Sequence, residues 1–231
     1  MSGRIVIVGT GTEVGKTHLG IALLRMLAGL GHLVAGLKPV ESGVGAGTTD
    51  AELLDRAGTF HVKQPPPYAF RAPISPHLAA AREGVTIRLQ PIVTWVDSVV
   101  VDWAVVETAG GLLSPLAAGT TNLDLACVLE PDAVLLVAPD RIGVLHEVTA
   151  TLFALRMLAP RLPEPVVVLQ TPAQPDASTG GNAAELLTLQ IARSVATVPR
   201  GEPDSQRVQV VVADVARLMG IGAAVVAERF T

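Results

Sequence analysis

Short apolar runs alternate along this chain with longer amphipathic stretches, and this alternation limits the folds that it can adopt. The apolar runs predict five strands, at residues 4–8, 33–37, 103–106, 133–138 and 166–169, and a sixth short strand at 196–198. The amphipathic stretches predict helices at residues 17–30, 123–129, 144–158, 183–195 and 206–219. Strands that alternate with helices of this length form βαβ units, so we predict a parallel sheet.

The composition supports one large α/β domain. The chain has 231 residues, of which 49% are hydrophobic and only 3% aromatic, so its core is built from Val, Leu, Ala and Ile. Apolar runs without polar alternation are typical of strands that are buried on both faces. The Gly-, Pro- or Thr-rich segments at residues 43–49, 65–76 and 172–182 are interpreted as surface loops rather than linkers. We therefore predict a single domain over residues 1–231, with three α/β/α layers around a mainly parallel central sheet.

Charge and cysteine content exclude several classes of protein. The net charge is −4 without a basic patch, which argues against a nucleic-acid partner. The single cysteine, Cys127, cannot form an internal disulfide, as expected in a reducing compartment. Gly9 interrupts the first apolar run too early for a signal sequence, and no run reaches the roughly 18 residues of a membrane span. We expect a cytoplasmic protein without a membrane partner.

The segment GTGTEVGKT, residues 9–17, is interpreted as a phosphate-binding loop between the first strand and the first helix. Backbone N–H groups of such a loop bind phosphate oxygens at the positive end of the helix dipole. Lys16 would reach the β- and γ-phosphates, and the Thr17 hydroxyl would bind Mg²⁺. The loop has five residues between Gly9 and Gly15, whereas the usual motif has four. The alternative is an ordinary strand–turn–helix junction.

Charged residues follow two other predicted strands, where ligands bind in open parallel sheets. Lys38 ends the second strand and would add a cation near the phosphate loop, although a solvated lysine is the alternative. Glu107 ends the third strand, as does an acid that positions Mg²⁺, and a buried carboxylate requires a cationic partner. Gly110 and Gly111 follow it and would allow a ligand to approach the backbone closely.

An acid also opens the segment TTDAELL at residues 48–54. Thr49 and Glu52 fit a capping box, which places Asp50 in the first turn of a helix. The helix dipole alone favours an acid there, and a metal role is an equally good interpretation.

Other reactive groups form no recognisable motif. The five His and one Cys show neither zinc-ligand spacing nor a nucleophile or metalloprotease motif, so no zinc or covalent catalysis is predicted. His77 is interpreted as a loop or helix-start residue, and Trp95 and Trp103 as core or lid residues.

Taken together, these motifs resemble the dethiobiotin synthetase family of ATP-dependent, P-loop NTPase-type enzymes of biotin synthesis. The resemblance rests on GTGTEVGKT at residues 9–17, KPVESG at 38–43, TTDAELL at 48–54, PISPHLAA at 73–80 and VVETAGGLLSPL at 105–116. It implies ring closure of 7,8-diaminononanoate with CO₂ and ATP to dethiobiotin, through a carbamate and a mixed carbamic–phosphoric anhydride. It also implies Mg²⁺ as cofactor and a homodimer.

The resemblance also implies roles for individual residues of this sequence. Lys16 and Lys38 would be catalytic, and Thr17, Asp50 and Glu107 would hold the metal. The substrate would contact Thr12, Lys38, Ser42 and Gly111. ATP would contact Glu13, Val14, Gly15, Lys16, Thr17, His18, Asp50, Glu107, Gly110, Pro199, Arg200 and Gly201.

Five residues at three sites depart from the family pattern, and two alternative functions stand beside the one that the resemblance implies. Thr108 replaces a glycine beside the metal acid, His146-Glu147 replaces Asn-His at the substrate-carboxylate site, and Gln170-Thr171 replaces the Asn-Asp that contacts adenine. One alternative is therefore a paralogue that acts on another diamine or carboxylate. The other is a partition-type regulatory ATPase, although such ATPases carry a second loop lysine where this chain has Thr10 or Gly11.

Overall fold

The computed structural model describes residues 3–45 and 47–221. The strands are β1 (Gly3–Gly9), β2 (Val34–Leu37), β3 (Val40–Ser42), β4 (Tyr68–Phe70), β5 (Trp103–Glu107), β6 (Pro115–Ala117), β7 (Thr120–Thr121), β8 (Ala133–Pro139), β9 (Val166–Gln170) and β10 (Val195–Val198). The helices are α1 (Lys16–Gly29), α2 (Asp50–Ala57), α3 (Pro76–Arg82), α4 (Leu89–Asp97), α5 (Asn122–Val128), α6 (Val144–Leu158), α7 (Asn182–Thr188) and α8 (Gln206–Leu218).

Six strands form the central sheet in the order β10-β9-β8-β1-β5-β2, and every neighbouring pair is parallel. These are the six strands predicted from the apolar runs. In the centre of the sheet, Val6 of β1 pairs with Val106 of β5 on one side and with Val134 of β8 on the other. The carboxyl ends of β1, β2 and β5 consequently lie together at one edge of the sheet.

Two apolar clusters cover the two faces of the sheet. Val6 and Val8 belong to a cluster that includes buried residues of α3 to α7, such as Leu152. Ile5 and Ile7 belong to the other cluster, which includes buried residues of α1, α2 and α8, such as Leu23. Successive side chains of a strand point to opposite faces, so one continuous apolar run serves both cores. The predicted three-layer α/β/α arrangement is thereby confirmed.

Several smaller elements differ from the sequence-based predictions. The pairs β3–β4 and β6–β7 form separate two-stranded sheets, and β4 lies inside the segment 65–76 that was predicted as a loop. The helix predicted at residues 183–195 is too long, because α7 ends at Thr188 and Gln190 has a φ of 55°. The chain then enters β10 at Val195. Trp103 and Trp95 pack against the apolar clusters.

Helix starts follow their sequence signals. The Thr49 half of the capping box predicted for α2 is present, since Thr49 Oγ1 accepts a hydrogen bond from Glu52 N at 3.1 Å. His77 lies in the first turn of α3, as interpreted from the sequence. No helix in residues 3–45 and 47–221 combines the length and the apolar character needed to cross a membrane.

Candidate active site

The loop at residues 10–15 is held between the ends of three strands. Thr10 N donates to Val137 O at 3.0 Å, and Leu112 N donates to Gly9 O at 2.9 Å. Gly15 caps α1 with a φ of 95°, and Glu13 also has a positive φ, of 57°. The loop therefore wraps around the first turn of α1, where free backbone N–H groups and the helix dipole favour an anion.

Lys16 is buried inside this loop. Its side chain is 5% exposed, and its Nζ donates to Gly11 O at 2.8 Å. Burial lowers the pKa of Lys16 to about 8, although the nearby Glu107 carboxylate opposes this shift. A desolvated ammonium attracts a polyanion strongly, so the loop is suited to a phosphate chain.

A second buried lysine joins two carboxylates from distant parts of the sequence. Lys38 Nζ donates to Asp50 Oδ2 and, at 2.7 Å, to Glu107 Oε1. Thr17 Oγ1 donates to the same Glu107 oxygen at 3.0 Å. Burial raises the pKa of Glu107. Burial alone would lower the pKa of Lys38. The carboxylates of Glu107 and Asp50 together have a larger, opposite effect, so the pKa of Lys38 lies above the ordinary value of a lysine. Lys38 is therefore a persistent cation.

The oxygens around Glu107 fit a hard divalent cation. Glu107 is 1% exposed, and its Oε2 has no hydrogen-bond partner in the described part of the chain. Thr17 and Asp50 add a hydroxyl and a second carboxylate to this cluster. The described residues contain no group of three or more His, Cys, Asp or Glu side chains that could hold a metal ion. Mg²⁺ is commonly held by only one or two carboxylates together with substrate phosphates and water, and this donor set meets that requirement.

A cavity of about 450 Å³ opens beside Lys38 and Asp50. Thr12, Ser42 and Gly110, which were predicted from the resemblance, line it together with Glu41, Ser75 and Ser114. Gly111 does not line this cavity. It lines a neighbouring one of about 470 Å³ with Thr10, Leu113 and Thr151, and its N–H donates to Ser114 Oγ at 2.9 Å.

A third cavity, of about 560 Å³, lies on the other side of the loop. We call it the base cavity because it adjoins the predicted nucleotide residues. It is lined by Glu13, Val14, Gly15, His18, Arg200 and Gly201, and also by Gln170 and Thr171. Pro199 is buried and is not among its lining residues.

Sequence reasoning missed two residues that shape the site. Glu41 accepts hydrogen bonds from Asp50 N at 2.7 Å and from Ala51 N at 3.2 Å, which fixes the start of α2. Asn122 Nδ2 donates to Ala109 O at 2.6 Å and to Gly111 O at 2.9 Å. Glu41 lies within the quoted KPVESG segment, but nothing in the sequence links Asn122 to the site, because this contact depends on tertiary packing.

The acid at the start of α6 is engaged with neighbouring side chains. Glu147 accepts a hydrogen bond from Arg141 Nη2 at 2.9 Å, and Thr10 Oγ1 lies 3.4 Å from its Oε2. The substituted position identified in the sequence is thus connected directly to the loop at residues 10–15.

Sequence comparisons relate this chain to one group of enzymes. A family model described as an AAA domain matches residues 3–207. The "ATP-dependent dethiobiotin synthetase BioD" of Anaeromyxobacter dehalogenans (strain 2CP-C) is 38% identical over 209 residues, which cover 88% of this chain and 92% of that protein. The protein of the same name from Ralstonia nicotianae is 41% identical over 165 residues, which cover 68% of this chain and 72% of that protein.

Solved structures with low sequence identity share the fold. The septum site-determining protein MinD of Pyrococcus horikoshii, complexed with Mg-ADP, has a TM-score of 0.58 and 15% identity, and the match covers 95% of this chain and 98% of that one. A ParA family ATPase from Chlorobium tepidum has a TM-score of 0.59 and 14% identity, with 94% and 99% covered. Likeness at this identity shows the fold alone.

Proposed function

Because this chain belongs to the family of ATP-dependent dethiobiotin synthetases, we propose that it closes the ring of dethiobiotin from 7,8-diaminononanoate, CO₂ and ATP. ADP and phosphate are the other products. The observation that carries this proposal is the position of Lys38. Its ammonium contacts Asp50 and Glu107 beside the phosphate loop, and the same side chain lines the 450 Å³ cavity. A cation that lies between the phosphate loop and this cavity suits a reaction that transfers phosphate to the second substrate.

The loop binds the triphosphate in this proposal. Backbone N–H groups of residues 13–17 and the Lys16 ammonium contact the phosphate oxygens. Thr17, Asp50 and Glu107 hold Mg²⁺, which is supported by the unpartnered Oε2 of Glu107 and the oxygen-only donor set. When bound there, Mg²⁺ supplies positive charge to the phosphates. Glu13, Val14, Gly15, His18, Gly110, Pro199, Arg200 and Gly201 complete the nucleotide site.

The diamine occupies the cavity beside Lys38, in contact with Thr12 and Ser42 and close to Gly111. One amine attacks CO₂ and releases a proton to water, which gives a carbamate. Lys38 and Lys16 stabilise this anion, and their charge also favours the neutral, nucleophilic form of each amine. Since the two carboxylates keep the pKa of Lys38 raised, Lys38 acts as a fixed positive charge and not as a base.

The carbamate oxygen then attacks the γ-phosphorus of ATP, and ADP leaves. Lys16 lies at the phosphate loop and neutralises charge that develops on the transferred group. The second amine attacks the carbonyl carbon of the mixed anhydride, the C–O bond to phosphate breaks, the departing phosphate takes the proton that the amine gives up, and the ring closes. No step requires a nucleophile from the protein.

We propose further that residues 1–231 form one P-loop domain that acts as a homodimer in the cytoplasm, without nucleic-acid or membrane partners. The net charge of −4 supports the absence of a nucleic-acid partner. The dimer is supported by apolar side chains exposed at the start and on the outer side of α6, namely Ile142 (74% exposed), Phe153 (66%) and Met157 (64%).

The test is direct. The purified protein is mixed with 7,8-diaminononanoate, bicarbonate and MgATP, and phosphate release is followed together with the mass of the ring product. Equal amounts of phosphate and dethiobiotin are expected, and both should depend on the diamine. ATP turnover that is independent of the diamine and gives no product would refute the proposal and favour a regulatory ATPase, which the sequence relatives do not favour.

A further inference from the structure

Strand β3 and the segment that follows β4 form one wall of the cavity of about 450 Å³. Ser42 of β3 pairs with Phe70 of β4, and both Ser42 and Ser75 line the cavity. The segment lies close to the end of β3, since a Cβ added to Gly43 would lie 3.2 Å from Pro73 Cβ. The fold therefore brings a second serine hydroxyl to the wall that already carries Ser42.

The Ser75 hydroxyl is held by a histidine. Ser75 is the N-cap residue of α3, where a serine side chain usually accepts a hydrogen bond from a backbone N–H of the first turn. The Ser75 side chain makes no such bond, and its Oγ lies 2.9 Å from His77 Nδ1. The hydroxyl can accept a further hydrogen bond in either tautomer of His77. If Nδ1 accepts, both oxygen lone pairs remain, and if Nδ1 donates, one remains.

An amine in this cavity needs an acceptor for its N–H group. The Lys38 ammonium has only donors and cannot receive it. Among the carboxylates of the wall, Glu41 is engaged with two backbone N–H groups of α2, Asp50 is engaged with Lys38, and Glu13 is exposed. A carboxylate would also favour the protonated amine, which has no lone pair for attack. A neutral hydroxyl accepts the N–H without adding a negative charge.

We propose that Ser75 binds one amine of the diamine and orients it for attack, and that His77 positions the Ser75 hydroxyl. This inference rests on the proposed function, which places the diamine in this cavity. The amine N–H donates to Ser75 Oγ, so the lone pair of the same nitrogen points away from the serine, towards the carbon that it attacks. Ser75 is a catalytic residue in this scheme because it touches the reacting nitrogen, and His77 is a positioning residue.

Ring-closure kinetics at saturating bicarbonate and MgATP test Ser75. Ser75→Ala should lower kcat/KM for the diamine about tenfold, the effect of losing one hydrogen bond. The affinity for MgATP, measured by calorimetry, should stay within about twofold of the wild-type value, because Ser75 lies outside the phosphate loop. Ser98→Ala is the matched control, since the exposed Ser98 donates to Trp95 O at 2.7 Å and lies outside the cavity wall, and both quantities should be unchanged.

Two substitutions of His77 distinguish positioning from packing. His77→Phe keeps the ring but loses Nδ1, so kcat/KM for the diamine should fall about as far as in Ser75→Ala. His77→Asn places a hydrogen-bonding group close to the position of Nδ1 and should restore kcat/KM to within about threefold of the wild-type value. A histidine that only packs would give the reverse order, because Phe preserves the packed ring and Asn does not.

The remaining outcomes separate the inference from the proposed function. A Ser75→Ala enzyme with kcat/KM within about twofold of the wild-type value overturns the inference alone, and so does an equal loss of MgATP affinity, which would show a general distortion. A His77→Phe enzyme that is more active than His77→Asn overturns the role of His77. A wild-type protein that forms no dethiobiotin refutes the proposed function and the inference with it. If Ser75→Ala fails to fold, Ser75→Cys decides, because a thiol is a weak acceptor and should lower the same kcat/KM.

Discussion

Replacing Lys16 by Met should stabilise the nucleotide-free protein while abolishing nucleotide binding. Lys16 is 5% exposed, and its pKa is lowered mainly by burial from 10.5 to about 8. At about 1.4 kcal/mol per pH unit, this shift corresponds to a cost of about 3 kcal/mol in the folded state. Methionine has a similar shape without the charge, but it loses the hydrogen bond to Gly11 O, worth about 1 kcal/mol. The expected net gain is about 2 kcal/mol at pH 7.

The dependence on pH tests the electrostatic origin of this gain. The folded chain releases the Lys16 proton at about pH 8, whereas the unfolded chain keeps it up to about 10.5. The unfolded state therefore binds more protons between these values, and wild-type stability due to this group rises over that interval. The cost is complete below pH 8, so the gain from Lys16→Met should be largest there and shrink towards pH 10.5.

Urea unfolding at pH 7 and at pH 9.5, without nucleotide, measures the effect, and calorimetry with MgATP measures the loss of binding. Lys63→Met is the control, because Lys63 is exposed and its replacement should change stability by less than about 0.5 kcal/mol. A Lys16→Met protein that is less stable than the wild type at pH 7, or a gain that does not depend on pH, would refute the reasoning.

Two further substitutions probe Lys38 and the backbone that Asn122 supports beside it. Lys38→Gln should reduce the rate of ring closure by more than about 100-fold. The affinity for MgATP should stay within about threefold of the wild-type value, because the loop at residues 9–17 is unchanged. Normal product formation would contradict the role given to Lys38. Asn122→Leu leaves Ala109 O and Gly111 O without their buried donor, so it should cost about 2–4 kcal/mol in urea unfolding. A cost below about 0.5 kcal/mol would show that backbone relaxation replaces these bonds.

Local patterns were sufficient to predict the central sheet. The six strands and the starts of α1, α2 and α8 follow from apolar periodicity, glycine position and capping residues, which act over a few neighbouring residues. The extent of α7 could not be predicted in this way. Its amphipathic pattern continues past Thr188, but the chain turns at Gln190 to place β10 beside β9.

The candidate site was only partly visible in the sequence. Lys38, Asp50 and Glu107 were selected because each is placed at a strand end or a helix start. These three side chains share a hydrogen-bonded cluster because the sheet order places β5 between β1 and β2. The cap that Glu41 gives to α2 and the separation of Gly111 from the Lys38 cavity required the folded chain.

The sequence by itself determined the α/β class, the phosphate loop and the family to which this chain belongs, because these depend on residue types at fixed local spacing. The tertiary structure decided which charges meet and which polar groups are left without partners. Lys38 contacts a carboxylate 69 positions away, and Gln170 meets His18 across 152 positions. Such contacts depend on how helices and strands pack. Packing brings residues that are remote in the chain together, and burial strengthens the hydrogen bonds and charge interactions between them.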